Sequence, residues 1–197
     1  MAIKIIEKEL LDAIADGKQP VFYNAEKVAQ TVEKANLIAA PKSVIREFKL
    51  FFAEDENSVP TVNFVGTTLS IPSESLCRHL FGCKRAALFC VTLGAECDRE
   101  IERAKATDIE FAVLLDTAFL LLIEKACDEI CAQLDKKYTG EKTTPRFSLG
   151  YGDSPLALQN EFLTLLNAQK LLGVLVTAGD MMLPSKTVTA FVGIADK

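Results

Sequence analysis

Residues 145–155 read PRFSLGYGDSP, one arginine and one tyrosine set among two glycines and two prolines, ahead of a long apolar segment. Arg146 carries a planar fork of N–H groups that can hold a carboxylate through two parallel hydrogen bonds. Gly150 and Gly152 lack a Cβ, so a ligand can approach the main chain and meet its N–H groups. Tyr151 offers a ring and a hydroxyl together. A helix start just downstream would add the positive end of a dipole. Such a set suits a small ligand with an amino-acid carboxylate at one end and a polar ring system at the other. The same residues also make an ordinary structural loop, with Arg146 paired to a local carboxylate such as Glu141 and Tyr151 half-buried. On residue chemistry alone this second reading has more weight.

The rest of the chain holds no competing constellation. The single histidine, His79, is far from any GxSxG, and neither GxxxxGK[ST] nor GxGxxG occurs. Asp116 and Glu124 fall on one apolar stretch and read as network or interface residues before an acid/base pair. No catalytic residue is expected. The six cysteines, Cys77, Cys83, Cys90, Cys97, Cys127 and Cys131, include no CxxC. Cys127 and Cys131 share one helix face and could hold a metal, but buried small apolar residues are the commoner outcome, so no metal site is expected. Their apolar neighbours suit reduced thiols in a cytoplasmic protein.

Composition bounds the function classes. The chain has 197 residues, 49% of them hydrophobic, with a net charge of −5. That is enough apolar material for a substantial core. Lys and Arg are scattered, with no run that would follow a nucleic-acid backbone. The most apolar stretch, FAVLLDTAFLLLI at 111–123, is interrupted by Asp116 and too short for a bilayer, so a buried helix is expected. The N-terminus shows no secretory pattern.

The elements that must position the loop follow from periodicity and punctuation. Helices are expected over 4–16, ended by Gly17, over 24–34, and in a short third piece from Pro41 through Ile45 and Phe48. The acidic stretch FAEDENSVP at 52–60 is the internal boundary: a helical segment over 1–60, then an α+β core over 61–197, in one continuous domain. TVNFVG and TTLSIP read as a hairpin, Ser73 opens a short helix, and AALFCVTLG at 86–94 is a buried strand. Thr107-Asp108-Ile109-Glu110 fits a capping box opening a helix to about 137. Ser154-Pro155 starts another, stepping through Leu158, Phe162, Leu165, Leu166 and Gln169 until Gly173. VLVT at 174–177 and TVTAFVGI at 187–194 are closing strands. Without a βαβ rhythm this is α+β, a mostly antiparallel sheet packed with long helices.

One combination is more specific. R-x-x-x-G-Y at Arg146, Gly150 and Tyr151 precedes an acidic turn and a helix. Thr177, Met181 or Met182, Pro184, Lys186, Val188 and Ala190 then follow at matching intervals. Residues 86–194 thereby resemble the C-terminal activation domain of cobalamin (vitamin B12)-dependent methionine synthase, in a stand-alone form. The resemblance implies S-adenosylmethionine as ligand. Arg146 would hold its carboxylate, and Leu149, Gly150 and Tyr151 would line ribose and adenine through backbone and ring contacts. It implies a cobalamin-binding methionine synthase, or a related corrinoid protein, as partner. The chain would support reductive methylation of cob(II)alamin to methylcobalamin there, with a flavodoxin-like or ferredoxin-like reductant acting on the partner. The acidic residue expected upstream of the loop has no clear counterpart: Gly140 stands in its place, with Glu141 beside it. Two other readings remain: a corrinoid-protein docking module that does not use S-adenosylmethionine, and a thiol or metal accessory resting on the cysteines.

Overall fold

The computed structural model describes residues 3–15, 24–54 and 56–196. In chain order the elements are α1 (Glu7–Ala15), α2 (Ala25–Ile38), β1 (Lys42–Glu54), β2 (Pro60–Phe64), β3 (Ser70–Pro72), α3 (Glu74–His79), β4 (Arg85–Thr92), α4 (Ala95–Thr107), α5 (Ile109–Lys137) and β5 (Glu141–Thr143). A 3-10 turn at Leu156–Leu158, α6 (Gln159–Leu166), α7 (Ala168–Leu172), β6 (Leu175–Val176), β7 (Met182–Leu183) and β8 (Thr187–Asp196) complete it.

Six strands form one sheet in the order β3-β2-β1-β4-β8-β5, antiparallel at every pairing. This is the expected α+β class. Both faces are covered. On β4, Ala87, Phe89 and Val91 point into a core shared with α1, α2, α4 and α5. Their neighbours Ala86, Leu88 and Cys90 point into a second core with α3, α6 and α7. A strand covered on both sides has no polar face to show, which is why 86–94 reads as an unbroken apolar run. The long α5 contributes Leu115, Phe119, Leu122, Ala126 and Ile130 to the first core.

Several expectations need correction. The short helix from Pro41 is instead β1, a thirteen-residue strand bonded to β2 on one side and β4 on the other. Val44, Phe48 and Leu50 alternate onto the second core while Ile45 meets the first, the period of a strand. The acidic stretch at 52–60 covers the end of β1, the start of β2 and their hairpin connection, so the sheet continues across residue 60. Asp108, not Thr107, caps α5, accepting from Phe111 N at 3.0 Å, and Glu110 meets Lys27 instead of reaching back. Ser154 caps nothing: its buried Oγ has no hydrogen-bond partner. The helix beyond it breaks at Asn167, which takes a left-handed conformation, and ends at Gly173 as expected. Of the two closing strands only β8 joins the main sheet; residues 175–176 pair with β7 in a separate two-stranded ribbon. Gly17 lies outside the described residues.

Candidate functional site

The RxxxGY loop extends the sheet and then leaves it. Phe147 bonds reciprocally with Phe191 of β8, N to O at 2.9 Å and O to N at 2.7 Å. Upstream, Thr144 N donates to Gly193 O at 3.0 Å and Thr144 Oγ1 accepts from Gly193 N at 2.9 Å. These bonds fix Arg146 beside the edge of β8 and over one face of α5.

There Arg146 forms an ion pair and hydrogen bond with Glu124 of α5, with their side chains 28% and 44% exposed. Burial works against the guanidinium charge. The Glu124 hydrogen bond and the nearby Cys127 and Asp128 outweigh it and hold Arg146 above its ordinary value. Its Nη1 is buried without a hydrogen-bond partner. The structural-loop alternative holds in kind, since Arg146 is paired to a carboxylate of the protein, but the partner is Glu124. Glu141 is taken by Arg85, and Tyr151 is 58% exposed. Glu124, read as a network residue, is the carboxylate at this site. Its sequence signal was weak because it lies 22 residues before Arg146, on another element.

Beyond Phe147 the chain turns tightly. Gly150 N donates to Ser154 O, and Ser154 N donates to Tyr151 O, each at 3.0 Å. Gly150 takes φ +86°, open to few residues but glycine, and a Cβ there would meet only Leu156, at 3.5 Å. The main chain is thus approachable at this point. Leu149 buries its side chain in the second core, so only its backbone faces the turn. Tyr151 packs edge-on against Phe147 at 5.7 Å, and Phe147 lies 5.1 Å from His79. The loop thus carries Arg146 against Glu124 of α5 at its start, and Tyr151 against Phe147 and the aromatic row with His79 of α3 further on.

The helix whose N-terminus meets the loop is α3, not the one downstream. Asp153 accepts from Ser73 Oγ at 2.7 Å, Glu74 N at 2.7 Å and Ser75 N at 3.0 Å. The Ser73 hydrogen bond, helped by those of Ser75 and Glu74, outweighs the opposing cost of burial and holds the carboxyl of Asp153 far below the ordinary aspartate range. Residues 73–75 and Asp153 carry no mutual sequence signal, being about 80 positions apart.

Other features stay separate. An apolar concavity of about 580 Å³ lies along another flank of α3, walled by Phe52, Pro60, Cys77 and Phe81, and includes none of the loop residues. Lys186, 12% exposed, bonds Asp116 at 2.8 Å, and Ser185 bonds Asp98, stitching the segment before β8 to α4 and α5. All six cysteines are free thiols. Burial pushes Cys90, Cys97 and Cys127 up to about 12. Among the described residues no group of three or more His, Cys, Asp or Glu is placed to hold a metal, and no helix is long and apolar enough to cross a membrane.

No protein-family model matches the chain, and no curated protein matches it. Among solved structures, the crystal structure of the MetH reactivation domain bound to AdoHcy is similar, with a TM-score of 0.57 and 13% identity, over 97% of this chain and 67% of that one. At that identity the likeness is one of fold. The mostly antiparallel α+β architecture is similar to that of this MetH reactivation domain.

Proposed function

We propose that this chain binds S-adenosylmethionine at the Arg146–Tyr151 loop and serves as a reactivation subunit for a corrinoid-dependent methionine synthase. The observation that carries the reading is the contact of Arg146 with Glu124 at the start of a loop that, a few residues on, carries an exposed Tyr151 and an approachable main chain at Gly150. A guanidinium and a carboxylate in contact are a receptor for a zwitterion: the first takes the carboxylate of an amino acid, the second its ammonium group. A ligand of this kind would exchange one internal ion pair for two external ones. The exposed ring of Tyr151 suits a flat heterocycle at the ligand's other end. The fold shared with a reactivation domain that binds AdoHcy supports the same ligand class.

S-adenosylmethionine supplies an activated methyl group when bound. The tasks left to this chain are to hold its amino-acid end, orient it and dock on the partner, and these need no acid/base dyad. In that role the chain would present the methyl group of S-adenosylmethionine while a flavodoxin-like or ferredoxin-like reductant would supply one electron to the partner's cob(II)alamin. The products would be methylcobalamin and S-adenosylhomocysteine.

The test is a reactivation assay. A methionine synthase lacking such a domain is inactivated to its cob(II)alamin form, then mixed with reductant, S-adenosylmethionine and this chain. Recovery of the methylcobalamin spectrum that requires all three supports the reading. Recovery independent of the chain removes it.

A further inference from the structure

The loop at 145–153 is clamped to both ends of α3. At one end, His79 Nε2 meets Pro145 O at 2.8 Å. At the other, the two oxygens of Asp153 accept from Ser73 Oγ, Glu74 N and Ser75 N. Between the clamps Gly152 passes so close that a Cβ would stand 2.5 Å from Ser75 Oγ. The first N–H groups of a helix have no partner within it, and here a residue from a distant loop supplies one. Ser73 also caps the helix itself, through Leu76 N at 3.0 Å.

The attachment has a direction. α3 is seated in the second core by Leu76, with Leu80 directly behind it, both fully buried. The turn at 148–154 has three main-chain hydrogen bonds of its own and exposes Tyr151. The well-packed partner is the helix, and the loop takes its position from it.

We propose that Asp153 is the positioning residue of the ligand loop: by capping α3 from outside, it fixes Gly150 and Tyr151 before any ligand arrives. A preset loop spends less binding energy on ordering when the ligand comes. The effect on binding rests on the S-adenosylmethionine reading; the effect on loop order does not. Asp153 sits on the same turn as the proposed ligand residues, but both oxygens of its carboxylate are engaged by Ser73, Glu74 and Ser75, so it acts through the main chain and not by touching the ligand.

Hydrogen exchange on the ligand-free protein decides the proposal, read at Gly150, Tyr151 and Ser154 in the wild type, Asp153→Asn and Gly152→Ala. Asparagine keeps the shape but has one acceptor oxygen, so it cannot serve both Glu74 N and the Ser73–Ser75 pair. Exchange at the three loop amides should rise about tenfold or more, with β4 and β8 unchanged, the size expected for losing one charge-assisted hydrogen bond. Gly152→Ala, which pushes the loop off Ser75 without altering the carboxylate, should give the same pattern and stands in if Asp153→Asn does not fold. Titration of S-adenosylmethionine alongside should weaken by a similar factor in both variants. Unchanged loop exchange with faster exchange in α3 alone would overturn the proposal, since Asp153 would then serve the helix only. If the wild type shows no binding while the loop still loosens in Asp153→Asn, the positioning role stands and the ligand assignment falls.

Discussion

Glu124 and Arg146 meet as an ion pair across 22 residues of chain, one from the long central helix and the other from a loop at the sheet edge. The pair fixes where the loop's only guanidinium points. Both side chains are partly exposed, so water screens the attraction and its share of stability is small. Its proposed value is as a binding surface already assembled.

That difference can be measured. A double-mutant cycle on Arg146→Ala and Glu124→Ala, read by urea unfolding, should return a coupling of about 0.5 kcal/mol. Glu124→Gln should weaken S-adenosylmethionine several-fold, through the lost ammonium contact, while leaving the unfolding midpoint nearly unchanged. A large stability loss with unaltered binding would make the pair structural.

Gln159 and Thr189 make the opposite case. Both are buried, and their side chains exchange hydrogen bonds at 2.9 and 3.2 Å, joining α6 to β8 behind the loop. Gln159→Ala strands a buried hydroxyl and should cost about 1–3 kcal/mol, whereas Gln159→Leu combined with Thr189→Val should recover part of that. Chemical denaturation of the three variants checks the order.

Asp153 sets a pH dependence. Its folded carboxyl titrates below its unfolded value, which is about 3.9. Above about pH 5 both states are ionised and the contribution is complete; as pH falls the unfolded state binds its proton first, and the contribution shrinks. The stability gap between wild type and Asp153→Asn should therefore be widest near neutrality and narrow steadily from pH 5 to pH 3. A gap that widens on acidification would contradict the assignment.

The thiols should be slow. Cys90, Cys97 and Cys127 are buried and pushed up to about 12, while Cys77 and Cys131 are only half-buried, though also raised. Timed alkylation at pH 8 with mass spectrometry should label Cys77 and Cys131 first and leave the other four, the buried Cys83 included, until the protein is unfolded. A fast-reacting thiol among Cys90, Cys97 or Cys127 would revive the reading in which the cysteines carry the function.

Local pattern made much of this fold legible. The hairpin, the Ser73 cap, the buried β4 and the length of α5 are all written in neighbouring residues, as short-range periodicity and punctuation. β1 was not. Val44 and Phe48 stand four apart, a spacing that a helix face and a strand face share, and only hydrogen bonding to β2 and β4 separates the two. The site divides the same way. Arg146, Leu149, Gly150 and Tyr151, the proposed ligand residues, lie within one six-residue stretch, where reading the sequence can weigh them together. Glu124 and the Ser73–Ser75 cap reach the loop from remote segments, and their residue types announce nothing about that meeting.

The central claim is that Arg146 anchors S-adenosylmethionine. Isothermal titration of this ligand into wild type and Arg146→Ala, with folding of both checked by circular dichroism, tests it most directly. The account predicts saturable binding by the wild type and a tenfold to hundredfold loss in the variant, roughly the 1.5–3 kcal/mol of a charge-assisted contact. Equal binding by the two proteins, or none by the wild type, would contradict it.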